Sequence, residues 1–220
     1  MGQTSIRLIV FDWDGTLMDS EAKIVNSMRA AGHDLGLAAL DDKTLRNVIG
    51  LGLKEAIEML YPSADRHTHS AFADRYRHHF LAVDGETSTF FSGALELVQG
   101  LRSRGLLLGV ATGKSRRGLD RVLAEQNCGE FFHATRCADE TFSKPHPQML
   151  LEIMDELAVA PDRTVMIGDT EYDLQMAKNA GVGAVGVGYG VHERERLLQY
   201  QPLACVDNIQ DLTAWLNRYT

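Results

Sequence analysis

Several things are scarce in this 220-residue chain, and each absence removes a class of protein. Only three cysteines occur, Cys128, Cys137 and Cys205, an odd number, widely spaced and with no Cys-x-x-Cys pair. Neither a disulfide framework nor a cysteine-built zinc site is indicated, so reduced, mostly structural thiols are expected. No apolar run approaches the ~20 residues needed to cross a bilayer: Ile9 to Phe11 and Leu106 to Ala111 are both broken by glycine or charge. Positive charge is also short. The formal net charge is −8, and no basic run interleaved with aromatics appears. Nucleic acid and membrane are therefore not expected as partners, although a local cluster can still hold a small anion. The start Met1-Gly2-Gln3-Thr4-Ser5 leads straight into a strand pattern without a basic and then apolar stretch. A cytoplasmic location is the expectation. Internal repeats and low-complexity linkers are absent as well.

What is present is a core-forming composition, 45% hydrophobic, with length for one core domain and an insertion. Apolar runs of strand length occur at Ile6 to Phe11, Leu106 to Ala111, Thr164 to Ile167, Ala184 to Val187 and Ala204 to Val206. Near-continuous hydrophobicity marks strands covered on both faces. Helical spacing appears between them. Leu95, Val98 and Leu101 stop at Gly105; Leu150, Ile153, Met154 and Leu157 follow Pro145 and Pro147; Asp173 to Ala180 ends at Gly181. The alternation predicts an α/β fold, a doubly wound Rossmann-like parallel sheet with its ligand crevice at the strand carboxyl ends. From Ser20 to about Asp84 only helical patterns occur: Ile24, Met28, Ala31; Leu53, Ile57, Leu60; Phe72, Tyr76, Phe80. Such an insertion is expected to cover the crevice as a helical cap over residues 19–88, with the core built from 1–18 and 89–220.

The first strand ends in Phe11-Asp12-Trp13-Asp14-Gly15-Thr16-Leu17. Alternation along an extended chain sends Asp12 and Asp14 to one side and Trp13 to the other, and Gly15 permits a sharp exit. Paired acids at the ligand edge of a buried strand point to chemistry more than to a solvated turn. Further along come Thr112 in Val110-Ala111-Thr112-Gly113-Lys114, then Lys144 before Pro145, then Gly168-Asp169 and Asp173.

Together these residues resemble the four motifs of the haloacid dehalogenase superfamily, in the subgroup with a helical cap between motifs one and two. The match runs in order from Asp12 to Asp173 and covers most of the chain. The resemblance implies a phosphatase acting on a small phosphorylated metabolite. Asp12 is then the nucleophile that forms an aspartyl-phosphate, and Asp14 the group that protonates the leaving oxygen and later deprotonates water. Mg²⁺ is implied at Asp12, the backbone carbonyl of Asp14 and Asp169, with Asp173 orienting Lys144 or metal-bound water. Thr112 and Lys144 are implied as phosphoryl contacts, beside Gly113 and Lys114. The mutases of the superfamily carry a cap histidine twelve residues after the nucleophile; here that position is Ile24, which favours transfer to water over transfer back to a sugar. A noncatalytic binding protein on this fold would be expected to lose at least one of these residues, and none is lost. The nearest members are phosphoglycolate phosphatase-like; substrate and oligomeric state stay open.

Other patterns have plainer explanations. Gly181 to Gly186 matches Gly-x-Gly-x-x-Gly, but follows a helix and enters a strand, the reverse of the dinucleotide-binding context. His67, His69, His78 and His79 lack a completing carboxylate spacing and are expected to be solvated. Lys114, Arg116 and Arg117 are either a wet face or contacts for a substrate anion. In Arg46-Asn47-Val48-Ile49-Gly50-Leu51-Gly52-Leu53-Lys54, two glycines allow a turn to approach the crevice, which makes Arg46 and Lys54 candidates for leaving-group recognition.

Overall fold

Leu8–Phe11 (β1) contains no polar side chain, and all four residues are buried. Ile9 and Phe11 point into one apolar cluster and Leu8 and Val10 into another, so β1 is covered on both faces. The computed structural model describes residues 5–82 and 88–220. Met1 to Thr4, on which part of the leader argument rests, and Asp84, the expected end of the helical stretch, lie outside them.

Five more strands join β1 in one parallel sheet: Leu107–Thr112 (β4), Ala134–Cys137 (β5), Thr164–Gly168 (β6), Gly183–Val187 (β7) and Ala204–Val206 (β8). Their order is β5-β4-β1-β6-β7-β8. The chain thus leaves β1 toward β4 on one side and returns to β6 on the other, which opens a crevice at the carboxyl end of β1. Two short strands, Met18–Asp19 (β2) and Thr89–Phe90 (β3), pair antiparallel.

Strand β5 escaped the apolar pattern. Its sequence Ala-Thr-Arg-Cys is half polar because it lies at the sheet edge, where Arg136 reaches Glu152 at 2.7 Å and Glu156 at 2.8 Å. Helices flank the sheet: Ala94–Ser103 (α5), Arg116–Glu125 (α6), Gln148–Glu156 (α7), Glu171–Asn179 (α8), Arg194–Leu198 (α9) and Ile209–Tyr219 (α10). The expected stops at Gly105 and Gly181 follow α5 and α8, at φ +80° and +69°.

Between β2 and β3 the described residues are helical: Glu21–Asp34 (α1), Asp42–Asn47 (α2), Leu53–Leu60 (α3) and Arg66–Ala82 (α4). Their apolar faces form a third cluster, with Ile24, Met28, Leu45, Ile57 and Phe72 buried together. Two core residues, Tyr172 and Val191, enter that cluster and dock it on the sheet. No helix among the described residues is long and apolar enough to cross a membrane.

Candidate active site

Past the end of β1, Asp12 still donates its backbone N–H to the Ile167 carbonyl at 2.9 Å. The sheet therefore fixes where its carboxylate stands. Gly15, at φ +82°, turns the chain sharply, and Trp13 buries its ring between Phe90 and Phe132 on the opposite side. Asp12 and Asp14 both line one cavity of about 620 Å³ beneath the helical segment.

Asp12 is 1% exposed, and its Oδ1 lies 2.7 Å from Lys144 Nζ, which is also 2.7 Å from Asp173 Oδ1. Apart from that ionic contact, no hydrogen-bond donor among the described residues satisfies either Asp12 oxygen. Asp173 turns its other oxygen to the Thr170 N–H and hydroxyl, at 3.1 and 2.7 Å, and so also starts α8. Asp169 accepts from the Thr16 hydroxyl at 2.8 Å and the Val191 N–H at 2.9 Å. A Cβ at Gly15 or Gly190 would collide with the Asp169 side chain, so bare backbone packs on both sides of it.

One oxygen from each of Asp12, Asp169 and Asp173 lies within 4.8 Å of the others. Crowding three acids in a buried place has an electrostatic cost. Burial, reinforced by the charges of Asp173 and Asp169, pushes Asp12 well above the usual carboxylate range, although Lys144 opposes it. Burial and the Asp173 charge push Asp169 up to about 7. Burial alone would lower Lys144, but Asp12 and Asp173 hold its ammonium above the ordinary lysine value. An all-oxygen donor set with unsatisfied carboxylate oxygens fits a hard divalent cation such as Mg²⁺.

Asp14 is positioned differently from Asp12. Both its oxygens lie 2.8 Å from Lys114 Nζ, and Oδ1 also accepts from Ser20 at 2.6 Å. Lys114, expected either on a wet face or at a substrate anion, is engaged with Asp14, and its ammonium stands 5.1 Å over the Phe80 ring. The Asp14 carboxylate is not among the clustered ligand atoms, where Asp173 stands instead. Thr112, at the buried end of β4, and Gly113 line the cavity. A Cβ on Gly113 would strike the carbonyls of Gly50 and Leu51, which shows how closely the turn between α2 and α3 approaches.

That turn is pinned. Gly52 N–H donates to Ser143 Oγ at 2.8 Å, beside Lys144, and Gly50, at φ +100°, rests on Thr170. Lys54 lines the cavity, but Arg46 does not. Arg46 pairs with Glu21 at 2.9 Å and donates to the Val191 carbonyl at 3.3 Å, because its place on α2 aims it at the seam between cap and sheet. Arg46, a candidate for leaving-group recognition, is thus engaged with Glu21 and Val191 and not at the cavity. Its neighbour Asn47 does similar work: its carbonyl accepts from the Tyr172 hydroxyl at 2.8 Å and its side chain from Arg196 at 2.6 Å. Arg116 is taken up by Glu140, Asp120 and Thr135, while Arg117 lines the cavity. Among the four histidines of α4, His79 bonds to Asp34 at 2.8 Å and His69 to the Tyr61 carbonyl at 2.9 Å.

Thr16, Ser20, Ser143 and Asn47 escaped sequence reasoning. Thr16 stood inside the quoted motif and Ser20 six residues beyond Asp14, both open to notice; Ser143 and Asn47 depend on contacts across the chain that no spacing announces.

A family model described as haloacid dehalogenase-like hydrolase matches residues 9–187. The chain is 32% identical over 210 residues to "Probable phosphatase IndB" of Dickeya dadantii, covering 93% of this chain and 91% of the relative. It is 28% identical over 226 residues to an N-acetylmuramic acid 6-phosphate phosphatase of Pseudomonas aeruginosa, covering 99% and 98%. Among solved structures, a "predicted phosphatase" from Clostridium acetobutylicum superposes with a TM-score of 0.86 at 26% identity, covering 97% of this chain and 99% of that one.

Proposed function

Since the chain belongs to the haloacid dehalogenase-like hydrolase family, we propose that it is a Mg²⁺-dependent phosphatase that hydrolyses a small-molecule phosphate monoester through a phosphorylated Asp12. The observation that carries this is Asp12 itself: a buried carboxylate whose oxygens, among the described residues, meet no donor but the Lys144 ammonium, at the floor of a cavity. Similarity to two phosphatases over more than nine-tenths of the chain supports the same conclusion.

An Asp12 oxygen attacks phosphorus, the bond from phosphorus to the ester oxygen breaks, and Asp14 gives that oxygen a proton. Asp14 then takes a proton from water, the water oxygen attacks phosphorus, and the Asp12–phosphorus link opens to release phosphate. Asp12, Asp169 and the Asp14 carbonyl, with Asp173 beside them, would hold Mg²⁺, which when bound would supply positive charge where an anion meets an anion. Lys144 opposes the upward push of burial on Asp12 and holds it in place, and Thr112 offers a hydroxyl to the phosphoryl oxygens. Lys114 trades Asp14 for an incoming phosphoryl oxygen, which frees Asp14 to carry its proton. Ile24 lines the cavity and offers no acid or base to a returning sugar, which supports water as the acceptor.

Residues 19–88 act as a cap over a core of 1–18 and 89–220, a division supported by the separate apolar cluster of α1 to α4. A cytoplasmic location accords with three unpaired cysteines. The test is phosphate release by Asp12→Asn, which preserves shape and removes the nucleophile. Activity should fall at least about a thousandfold, equivalent to about 4 kcal/mol of barrier; a loss within tenfold refutes the assignment.

A further inference from the structure

The cavity above Asp12 is larger than a phosphoryl group and a two-carbon acid require. Its volume of about 620 Å³ falls inside the range of roughly 300 to 1,000 Å³ that holds drug-sized ligands. The walls between floor and rim are apolar, with Ile24 and Met28 on α1 and Tyr76 and Phe80 on α4. The Tyr76 and Phe80 rings meet with centroids 5.7 Å apart, tilted 31° to one another. Such a wall suits the carbon face of a ring better than a short flexible chain.

The rim carries a second signal. Lys54 at the start of α3 and Arg117 at the start of α6 line the same cavity from the cap and the core, and neither has an ion-pair partner among the described residues. Of the other rim cations, Arg77 is paired with Asp74 and Arg121 with Glu125. Two acids line the rim as well: Asp139 accepts from the Arg116 N–H at 2.8 Å, and the carboxylate of Glu55, the residue after Lys54, lies against Gly52. Lys114 and Lys144 serve the reacting end, each already matched to a catalytic-floor acid. Two unpaired cations facing a partly apolar cleft raise the local concentration of an anion there and favour its burial.

We propose, resting on the phosphatase function above, that the substrate is the phosphate monoester of a ring-bearing alcohol that carries a second anionic group, which Lys54 and Arg117 bind while the ring lies against Tyr76 and Phe80. The second anion is a carboxylate or a second phosphate, and matched probes separate the two.

With the full chain and Mg²⁺, kcat/KM is measured for N-acetylmuramic acid 6-phosphate against N-acetylglucosamine 6-phosphate, which lacks the carboxylate. Fructose 1,6-bisphosphate is set against fructose 6-phosphate, and 2-phosphoglycolate provides an acid without a ring. In at least one pair the doubly anionic member should lead its partner, and 2-phosphoglycolate, by about tenfold or more. The pair that shows it identifies the anion. In Lys54→Ala/Arg117→Ala, checked for an unchanged Tm, that ratio should fall to about threefold or less, and Lys54→Arg/Arg117→Lys should restore most of it. No preference in either pair, a preference that survives the double alanine variant, or 2-phosphoglycolate as the best substrate would each overturn the inference. p-Nitrophenyl phosphate separates the two levels: its Asp12-dependent hydrolysis with none of the other probes turned over rejects this substrate class alone, whereas failure on it as well rejects the phosphatase function.

Discussion

Asp12, Asp169 and Asp173 at the floor of the cavity are buried, and each is placed by backbone: the end of β1, the end of β6 and the first turn of α8. Lys54 and Arg117 at the rim are exposed and reach the cavity on long side chains from helix starts. Moving a floor residue means moving a strand or inserting a Cβ where only glycine fits. Moving a rim residue means turning a few side-chain bonds. On the function proposed, the floor handles the invariable part of the reaction, phosphorus and its charge, and the rim the variable part, the leaving group. The contrast also explains why the floor is electrostatically costly while the rim is not: three acids share one ammonium in a dry place, and the rim cations stand in water.

The comparison can be broken first at Lys144. Lys144→Ala leaves Asp12 and Asp173 buried without their shared cation, and removing one partner of such a cluster typically costs about 3 to 5 kcal/mol. Thermal or urea unfolding of the metal-free protein should show a loss of that size, with Mg²⁺ recovering part of it. A Tm unchanged by the substitution would mean that the floor is not under the strain described.

A smaller effect should come from pH. An acid whose pKa is raised on folding binds its proton more tightly in the folded state, so the stability it contributes is present at low pH and is lost as pH climbs through the folded value. With Asp169 raised to about 7 and Asp12 raised beside it, the metal-free protein should lose about 2 kcal/mol between about pH 5 and pH 8. Saturating Mg²⁺ binds the ionised acids and should flatten the slope. A metal-free Tm that stays level over this interval, or an equal slope with and without Mg²⁺, counts against the cluster as a cation site.

The smallest effect sharpens the seam between the two regions. Asn47→Ala removes the acceptor of the Arg196 bond but keeps the carbonyl that receives Tyr172. Stability should fall by about 1 kcal/mol. KM for the native substrate should rise about two- to fivefold while kcat for p-nitrophenyl phosphate holds, because closure weakens and the floor does not move. A drop in kcat on both substrates would show that the seam positions the acids themselves.

The floor was the more legible region in the sequence, for a physical reason. Acids delivered by strand ends are announced by the apolar runs that precede them, so Asp12 after Ile9 to Phe11 and Asp169 after Thr164 to Gly168 could be read directly. Five of the six strands in the parallel sheet and three of the helices between β2 and β3 were visible through the same periodicities. Strand β5 was not, because an edge strand with Arg136 on its open side has no apolar run to show. Helix α2, with one buried residue, Leu45, gave no stripe either. Arg46 looked like Lys54 in the sequence, since both are cations beside a glycine turn. Only the direction in which α2 leaves the turn separates them, and that direction is set by docking against Tyr172 and Val191, more than a hundred residues away. The engagement of Lys114 with Asp14 was equally hidden, being a contact between two strand ends.

Passage of phosphate through Asp12 can be caught by rapid acid quenching followed by peptide mass spectrometry. Protein mixed with excess p-nitrophenyl phosphate and Mg²⁺ should, within the first turnover, carry one added phosphoryl group on the peptide that contains Asp12. Asp14→Asn should prolong the life of that species, and Asp12→Asn should abolish it. Phosphate released in step with nitrophenol, with no phosphorylated peptide even in Asp14→Asn, would contradict the covalent route and leave Asp12 as a metal ligand only.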